Sequence, residues 1–388
     1  MKTIFKLIMI GMLLGFAQKA IYAQGGETAV PFLLLAPDSR AGGIGESGAG
    51  LADNGAAIYW NPAGIAFLTG KEVSITHSNW LPQFNLDLFY DYLTYRQYVE
   101  SLNGSITASV TYMNFGEFVR TAAELGPDGQ PQVLGKFNSF DAALTLGYAT
   151  KVSSDWGLGM NFRIIHSRLS DQPTANEQGS GVATSVSFDI ATMWRPSSFE
   201  IPFLGDLGNK FSVGANLSNL GPKIYYIDQS QADPIPTNLR VGFAYEILND
   251  EYNSLMWTGD ISKLLVDKDS TGASKEFYQA IFTAWGAKPF FKSMDYSMGL
   301  EYWYGQPGDF LFALRTGFFY EDPSYGNRKF VTFGAGIRYD IYGFDFSYIT
   351  TSIFPNGAEH PLSDTLRFSV IIGWGGTVGQ SRGLPRGI

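Results

Sequence analysis

The chain alternates apolar and polar residues one by one along many short segments, and residues 330–341 show the pattern clearly. Successive side chains of a β-strand point to opposite faces, so strict alternation predicts a strand with one apolar and one polar face. The apolar face of this segment consists of Val331, Phe333, Ala335, Ile337, Tyr339 and Ile341. The polar face consists of Thr332, Gly334, Gly336, Arg338 and Asp340.

The same division recurs in about fourteen segments after residue 70. Arg, Asp and Glu recur on the face that turns inward, while the outward face stays apolar and aromatic. A soluble sandwich has no such inversion, which is typical of a barrel with lipid outside and a polar lumen. We therefore predict an all-β fold, a transmembrane antiparallel β-barrel of about fourteen strands. The predicted strands are residues 72–80, 88–96, 104–115, 138–151, 156–169, 182–195, 210–218, 237–248, 254–264, 294–304, 310–320, 328–341, 343–351 and 364–374.

The connections between the predicted strands alternate in length. Links 152–155 and 249–253 are short, whereas 116–137 and 266–293 are long. Outer-membrane barrels have short periplasmic turns and long external loops, and an even strand count places both chain ends in the periplasm. One link, 196–210, is long where a short turn is expected, and the barrel prediction survives that exception.

Residues 1–23 have the features of a secretory signal peptide. Lys2 and Lys6 precede an apolar core, and Ala23 ends the predicted cleavage site. The apolar run is too short to cross a bilayer as a helix. We therefore expect a bacterial outer-membrane protein that crosses the membrane many times with strands. The predicted parts are the signal peptide 1–23, an N-terminal plug segment 24–71, the transmembrane barrel 72–375 and a periplasmic tail 376–388.

Composition excludes several classes of protein and site. The sequence contains no cysteine, which excludes a lipoprotein anchor, a disulfide framework and a thiolate metal site. Loss of the signal peptide takes three of the 27 basic residues and leaves 24 against 36 acidic ones, a net charge of −12. A charge of this sign argues against nucleic-acid binding.

The stretch around the first predicted strand carries a distinctive set of motifs. Residues 36–43 read Ala-Pro-Asp-Ser-Arg-Ala-Gly-Gly, residues 60–64 read Trp-Asn-Pro-Ala-Gly, and residues 78–99 read SNWLPQFNLDLFYDYLTYRQYV. The Asn-Pro-Ala core resembles FadL-superfamily barrels in general. The other two blocks resemble the PorV/PorQ family within that superfamily, and the resemblance covers essentially the whole mature chain.

The resemblance implies a non-enzymatic, cofactor-free barrel of the type IX secretion system of Bacteroidetes. Such a barrel accepts secreted cargo through the cargo's C-terminal signal domain at a giant translocon barrel. It then escorts the cargo to a cell-surface attachment complex, in contact with outer-membrane lipid and lipopolysaccharide. Two alternatives stay open: a FadL-like importer of hydrophobic molecules, and a lipopolysaccharide deacylase. The inward face lacks the continuous apolar path that a fatty-acid conduit would need.

The Gly- and Ala-rich segment 24–71 is predicted to lie inside the barrel as a plug, because fourteen strands enclose a lumen too wide for wall side chains to fill. Arg40 is expected to pair with an inward carboxylate, Asn61 to bond to nearby backbone, and Pro62 to end a short helix. Arginine suits bidentate pairing with carboxylates in a confined lumen. A periplasmic tether is the alternative. The other candidate lumen residues are Arg163, Asp189, Arg315, Arg338 and Asp340.

Motifs for other chemistry are incomplete. Residues 43–48 match G-x-G-x-x-G, but no strand precedes them and no βαβ unit follows. Residues 267–272 resemble the start of a calcium loop, yet Tyr278 stands where the bidentate Glu would be. The three histidines fall on separate strands or loops, and no G-x-S-x-G elbow is present. We therefore predict no catalytic, cofactor-binding or metal site.

The longest predicted external link, residues 266–293, has a charged part followed by an aromatic part. Phe277, Ile281 and Trp285 fall at i, i+4 and i+8, which is one face of a short helix. Exposed apolar patches usually mark interaction sites, and aromatic residues are favoured interface anchors. The alternative is that this helix folds over the barrel mouth or dips into the membrane interface. The candidate residues for binding a partner or cargo are Phe277, Tyr278, Phe282 and Trp285.

Overall fold

The computed structural model describes residues 28–84, 86–125, 129–170, 180–202, 205–306, 308–354 and 361–375. Fourteen antiparallel strands close into one barrel, in which neighbouring strands along the chain pair and the first pairs with the last. The barrel strands are β1 Lys71–Asn79, β2 Phe89–Val99, β3 Gly104–Leu125, β4 Pro131–Lys151, β5 Trp156–Arg168, β6 Val182–Trp194, β9 Phe211–Leu220, β10 Asn238–Asn249, β11 Asn253–Leu264, β12 Asp295–Tyr304, β13 Leu311–Tyr320, β14 Lys329–Tyr339, β15 Tyr342–Thr350 and β16 Leu366–Trp374. The predicted antiparallel barrel of about fourteen strands is confirmed.

The remaining elements are not part of the barrel sheet. A small hairpin of β7 Glu200–Ile201 and β8 Gly205–Asp206 occupies the one link that breaks the alternation of short and long connections. The helices are α1 Ser39–Gly43, α2 Ala57–Trp60 and α3 Phe277–Ala287, and the 3₁₀ helices are Pro31–Leu34, Pro62–Phe67, Pro82–Phe84, Glu100–Leu102, Gln229–Gln231 and Phe291–Ser293. The predicted signal peptide with its cleavage site at Ala23, and the predicted tail 376–388, lie outside the described residues.

Side chains alternate between the two faces of the wall in the predicted register. On β5, Leu158, Met160 and Ile164 are exposed on the outside, whereas Asn161 and Arg163 are buried in the lumen. Exposed apolar and buried charged side chains are the arrangement expected when lipid surrounds the barrel. Among the helices in the described part of the chain, none has the length and apolarity needed to cross a membrane.

The largest difference from the prediction concerns β3 and β4, which continue well into the predicted loop 116–137 as one long hairpin. Phe118 stacks on Phe137 across the two strands at 5.8 Å, and Lys136 pairs with Glu117 at 2.6 Å. Cross-strand pairs of this kind stabilise an antiparallel ladder. The loop prediction was wrong because the composition of this stretch does not reveal the pairing between its two halves.

Aromatic rings lie in rows on the outward face at both ends of the barrel. At the end with the long connections, hereafter the outer end, neighbouring rings lie 5.5 to 6.0 Å apart on His77, Phe89, Tyr112, Phe140 and His166. At the other end, Trp156 lies beside Trp194 at 6.1 Å. Trp156 and His166 lie on one strand, and at about 3.3 Å per residue and about 40° of tilt they are about 25 Å apart in height. This is the height of the apolar band of an outer-membrane barrel.

Candidate functional site

Residues 28–68, hereafter the luminal segment, lie within the barrel and are mostly buried. Asp38 starts α1, and its carboxylate accepts a hydrogen bond from the backbone N–H of Ala41 at 3.0 Å. The same carboxylate accepts one from the indole N–H of Trp60 at 2.6 Å. The first bond caps α1 and the second joins α1 to the end of α2. The luminal segment is therefore folded on itself as well as against the wall.

Asn61 and Pro62 connect α2 to the next 3₁₀ helix. The Asn61 side-chain oxygen accepts from the N–H of Ala63 at 3.0 Å, and its NH₂ group donates to the carbonyls of Ala49 and Thr192, each at 3.0 Å. Thr192 belongs to β6, so this one side chain joins two parts of the luminal segment to the wall. Pro62 is the first residue of its helix, where the missing N–H costs no hydrogen bond.

Arg40 is the centre of a buried ion-pair network. Its guanidinium donates to both carboxylate oxygens of Glu301 at 2.7 and 2.6 Å, and to Asp53 at 2.5 Å. Arg315 reaches the same Glu301 carboxylate at 2.6 Å and Asp345 at 2.9 Å. Bidentate arginine–carboxylate pairs are strong and geometrically specific. The network therefore fixes α1 against β12, β13 and β15.

Two further ion pairs extend this side of the lumen. Arg338 donates to both oxygens of Asp345 at 3.0 and 2.6 Å. Glu46 of the luminal segment accepts from Arg367 of β16 at 2.8 Å. Arg315, Arg338 and Arg367 are all almost completely buried, and they all reach a carboxylate.

Asp340 is the candidate lumen residue that the structure places elsewhere. It lies in the turn between β14 and β15, is exposed, and has a left-handed backbone with φ of 51°. The prediction of an inward position was wrong because β14 ends at Tyr339, and the alternation of faces ends with the strand.

Arg163 and Asp189 lie on the opposite side of the lumen and pair at 3.1 and 2.8 Å. Asn161 donates to Asp189 at 2.8 Å and to the backbone carbonyl of Ile58 at 2.8 Å, which joins this pair to α2. Beside buried polar side chains such as Asp141 and Thr145, this side also carries a hydrophobic cluster that the alternation of faces did not predict. Its buried cluster includes Ile58, Trp60 and Ile65 of the luminal segment and Met113, Ile165 and Met193 of the wall.

Glycines in the wall allow the luminal backbone to come very close. A Cβ atom on Gly317 of β13 would lie 2.0 Å from the backbone nitrogen of Gly45. A Cβ atom on Gly214 of β9 would lie 2.1 Å from the carbonyl oxygen of Ala49. Both distances are far below van der Waals contact, so only glycine permits this approach.

A cavity of about 100 Å³ lies at the outer end of the lumen. It is lined by Leu34 and Glu46 of the luminal segment and by Arg240, Asp295 and Arg328 of the wall region, among others. Arg328 and Asp295 pair at 3.5 Å. The cavity is smaller than the roughly 300–1,000 Å³ of typical small-molecule sites. Its charges of both signs make it unsuitable for a long apolar ligand.

In residues 267–272, which resemble the start of a calcium loop, the aspartate carboxylates accept hydrogen bonds from residues of the same link. Asp269 accepts from the hydroxyl and N–H of Thr271 at 2.6 and 2.8 Å, and these bonds hold its pKa below the usual value. Burial raises the pKa of Asp267, but hydrogen bonds from Lys275 at 2.5 Å and Thr283 at 2.6 Å outweigh it and lower the pKa. Within the described ranges, no three His, Cys, Asp or Glu side chains cluster as metal ligands would.

The predicted helix in the longest external link is present as α3. Phe277 and Trp285 are half-buried on the side where Ala280 is fully buried, whereas Tyr278 is 55% and Phe282 76% exposed. The four candidate partner residues therefore divide into two that pack toward the barrel and two that face away. Their binding of a partner or cargo stays a prediction.

Two of the three histidines are in the described part of the chain, and both lie on the outward face. His77 bonds to Asp91 through its Nδ1 at 2.7 Å, and His166 bonds to Thr184 at 3.1 Å. Both belong to the outer row of aromatic rings on the lipid-facing surface. His360 lies outside the described residues.

A comparison with protein families identifies the chain. The family described as "Type IX secretion system protein PorV" matches residues 18–271, which is more than half of the sequence. The chain belongs to the PorV family. The match ends at residue 271, so the resemblance expected over the whole mature chain is established for that part only. No curated protein sequence matches the chain.

Several solved barrels are similar in overall structure. The Ralstonia pickettii toluene transporter TbuX is 10% identical with a TM-score of 0.45, over 87% of this chain and 97% of that one. A Pseudomonas aeruginosa FadL homologue is 11% identical with a TM-score of 0.48, over 87% and 98%. The Pseudomonas putida toluene transporter TodX is 9% identical with a TM-score of 0.48, over 86% and 96%. Similarity at this level says nothing about what the PorV-family chain binds.

Sequence reasoning missed two acidic partners in the PorV-family chain, Glu46 and Asp53. The sequence does contain a feature that could have identified them, because residues 28–68 have only four charged side chains and these two are among them. A charge in an otherwise small and apolar segment that is predicted to be buried requires a partner. The other two charged residues are Asp38 and Arg40.

Proposed function

We propose that this barrel is a non-enzymatic carrier of the type IX secretion system. It receives secreted cargo through the cargo's C-terminal signal domain at the giant translocon barrel and delivers it to the cell-surface attachment complex. Membership of the PorV family supports the secretion context. The closed barrel with an apolar outer surface supports a place in the outer membrane.

The contacts of the luminal segment are the observation that favours a carrier over a conduit. A molecule that crossed the lumen would have to displace the pair of Arg40 and Glu301, whose side chains are 10% and 2% exposed. Removing one partner of a buried ion pair costs about 3–5 kcal/mol. A segment held by several such pairs does not readily move aside to open the lumen, because each broken pair adds to the free-energy cost. A carrier that holds cargo at the outer surface needs no open lumen.

The carrier function is tested in a strain that lacks the native gene and expresses an affinity-tagged copy. Without the protein, cargo with a C-terminal signal domain should accumulate in the periplasm. The tagged protein should restore surface cargo and co-purify with the translocon and the cargo. Normal surface cargo in the deletion strain would overturn the proposal. Lost fatty-acid uptake would then favour an importer, and deacylated lipopolysaccharide from the purified protein a deacylase.

The luminal segment is, in this proposal, a plug. Deleting residues 38–64 from the purified barrel should open an ion-conducting pore in planar bilayers, because these residues contact both sides of the lumen. The full chain is the matched control and should conduct negligibly. The deleted protein must still run as a folded, heat-modifiable barrel. Negligible conductance of a folded deletion variant would contradict the plug.

A further inference from the structure

Residues 277–293, hereafter the outer loop segment, comprise α3 and the 3₁₀ helix Phe291–Ser293. The segment contains six aromatic residues, two lysines and no acidic residue, in a chain whose net charge is −9. The acidic residues of the same link all lie before it, at Asp267, Asp269 and Glu276. The link therefore has a polar, charged part at residues 267–276, followed by an aromatic part whose charged residues are all lysines.

The outer loop segment packs on the lipid-facing side of the wall. Lys263 occupies an outward position of β11, two residues beyond the exposed Ile261, yet it is only 3% exposed. Its ammonium group lies 5.8 Å from the centre of the Trp285 ring and donates to the Ser293 hydroxyl at 2.5 Å. Met294, just before β12, is also buried. The segment therefore covers the outer faces of β11 and β12, while Lys288 and Ser293 also line the cavity at the outer end of the lumen.

A hydrogen bond from Tyr296 fixes the height of the segment on the barrel. Tyr296 faces outward at the start of β12, and its ring lies 6.5 Å from that of Tyr320 on β13. Its hydroxyl donates to the carbonyl of Phe291 at 2.9 Å. Outward aromatic residues at the ends of barrel strands lie at the level of the lipid head groups. The outer loop segment is at that same level.

The side of the segment that faces away from the barrel is apolar. Phe282 is 76%, Phe291 75% and Phe290 47% exposed, and this surface continues into the lipid-facing Met298, which is 51% exposed. Aromatic side chains at this density are costly to leave in water. Lys292 of the same segment is exposed, whereas the ammonium of Lys288 lies 5.3 Å from the centre of the Tyr325 ring and Lys288 lines the luminal cavity. Aromatic residues with adjacent lysines are typical of surfaces that bind anionic membranes.

We infer that the outer loop segment is a lipid-binding surface of the outer leaflet. Phe282, Phe290 and Phe291 lie among the acyl chains just below the head groups. Lys292 contacts the phosphates of anionic head groups. The continuity with the lipid-facing band and the net positive charge of the segment favour lipid over a protein partner for these side chains.

The insertion is tested with single nitroxide labels, which the cysteine-free chain makes straightforward. The variants are Phe282→Cys and Phe291→Cys, with Met298→Cys as lipid-facing reference and Thr271→Cys as water-facing reference. Each folded barrel is placed in liposomes of phosphatidylethanolamine and phosphatidylglycerol. Labels at 282 and 291 should collide more with oxygen than with a water-soluble nickel chelate, as at 298. The opposite preference, as at 271, would overturn the inference and leave this surface to a protein partner.

The role of the lysines needs a second measurement. With the label at position 291, liposomes containing phosphatidylglycerol should draw the label deeper than liposomes of phosphatidylcholine alone. The variant Lys292→Gln should remove this difference and the control Lys288→Gln should not, while both barrels stay heat-modifiable. Equal depth in both lipids with the lysines intact would overturn the anionic preference. Neither measurement uses secretion, so its failure is distinguishable from a failure of the carrier function.

Discussion

The two sides of the lumen hold the same segment by different interactions. On the side of β12–β16, hereafter the ionic side, α1 is fixed by the network of Arg40, Glu301 and Arg315. On the side of β3–β6, hereafter the apolar side, the luminal segment packs its hydrophobic side chains against Met193 and Ile165. A single barrel wall therefore holds the segment mainly through ion pairs on one side and, beside the Arg163–Asp189 pair, through hydrophobic packing on the other.

The two kinds of interaction have different effects on the luminal segment. Buried ion pairs add little net stability, because the cost of removing charges from water offsets their attraction, but they penalise every arrangement that leaves one charge alone. Apolar packing has no such directionality and is proportional to the area removed from water. We therefore expect the ionic side to determine where the luminal segment lies and the apolar side to contribute most of its favourable burial.

The largest expected effect comes from breaking the ionic side at Glu301. The substitution Glu301→Ala leaves the guanidinium groups of Arg40 and Arg315 buried without their shared carboxylate. It should lower the free energy of unfolding by about 3–5 kcal/mol. This change is measured by unfolding the protein in urea and monitoring the loss of the heat-modifiable band.

The matched control for that substitution is Glu117→Ala on the long β3–β4 hairpin. Glu117 pairs with Lys136 at the same kind of distance, 2.6 Å, but their side chains are 52% and 60% exposed. Solvent screens such a pair, so its loss should cost about 0–1 kcal/mol. Equal losses for the two variants would mean that the ionic side does not position the segment.

A smaller effect is expected from a single methyl group at Gly317. The luminal backbone at Gly45 would lie 2.0 Å from the new Cβ, and the ion pairs keep this backbone from retreating. Gly317→Ala should therefore destabilise the barrel by about 1–3 kcal/mol, as overpacking does. Its control is Gly286→Ala in α3, where no atom lies within 4 Å of the new Cβ. The control should be neutral or slightly stabilising in the same urea assay.

The smallest expected effect lies on the apolar side. Met193→Leu keeps the volume and polarity of a fully buried side chain and should cost less than about 1.5 kcal/mol. Arg315→Lys is the corresponding conservative change on the ionic side, and it should cost more, because lysine cannot bridge Glu301 and Asp345 as a planar fork does. Thermal unfolding of the two variants compares them directly. A larger loss for Met193→Leu would reverse the assignment of the two sides.

Local pattern was sufficient for much of the fold and for part of the site. The alternation along residues 156–168 gave the correct inward position of Arg163, and i, i+4 spacing gave the correct helix at α3. These features depend on neighbouring residues alone. The same reasoning failed at Asp340, one residue past the end of its strand, where the parity of faces no longer applies.

Alternation along the chain is enough to predict strands with apolar outer and polar inner faces, and a charge such as Arg40 in a small, apolar segment is enough to predict that it needs a partner in the lumen. The closed barrel brings Arg40 to Glu301, 261 residues further along the chain, and no local pattern predicts that pairing. The pairing of β3 with β4 beyond the barrel and the packing of α3 against the lipid-facing wall are likewise visible only in the folded protein. Periodicity is a local property of the backbone. Which faces meet depends on how the whole barrel closes.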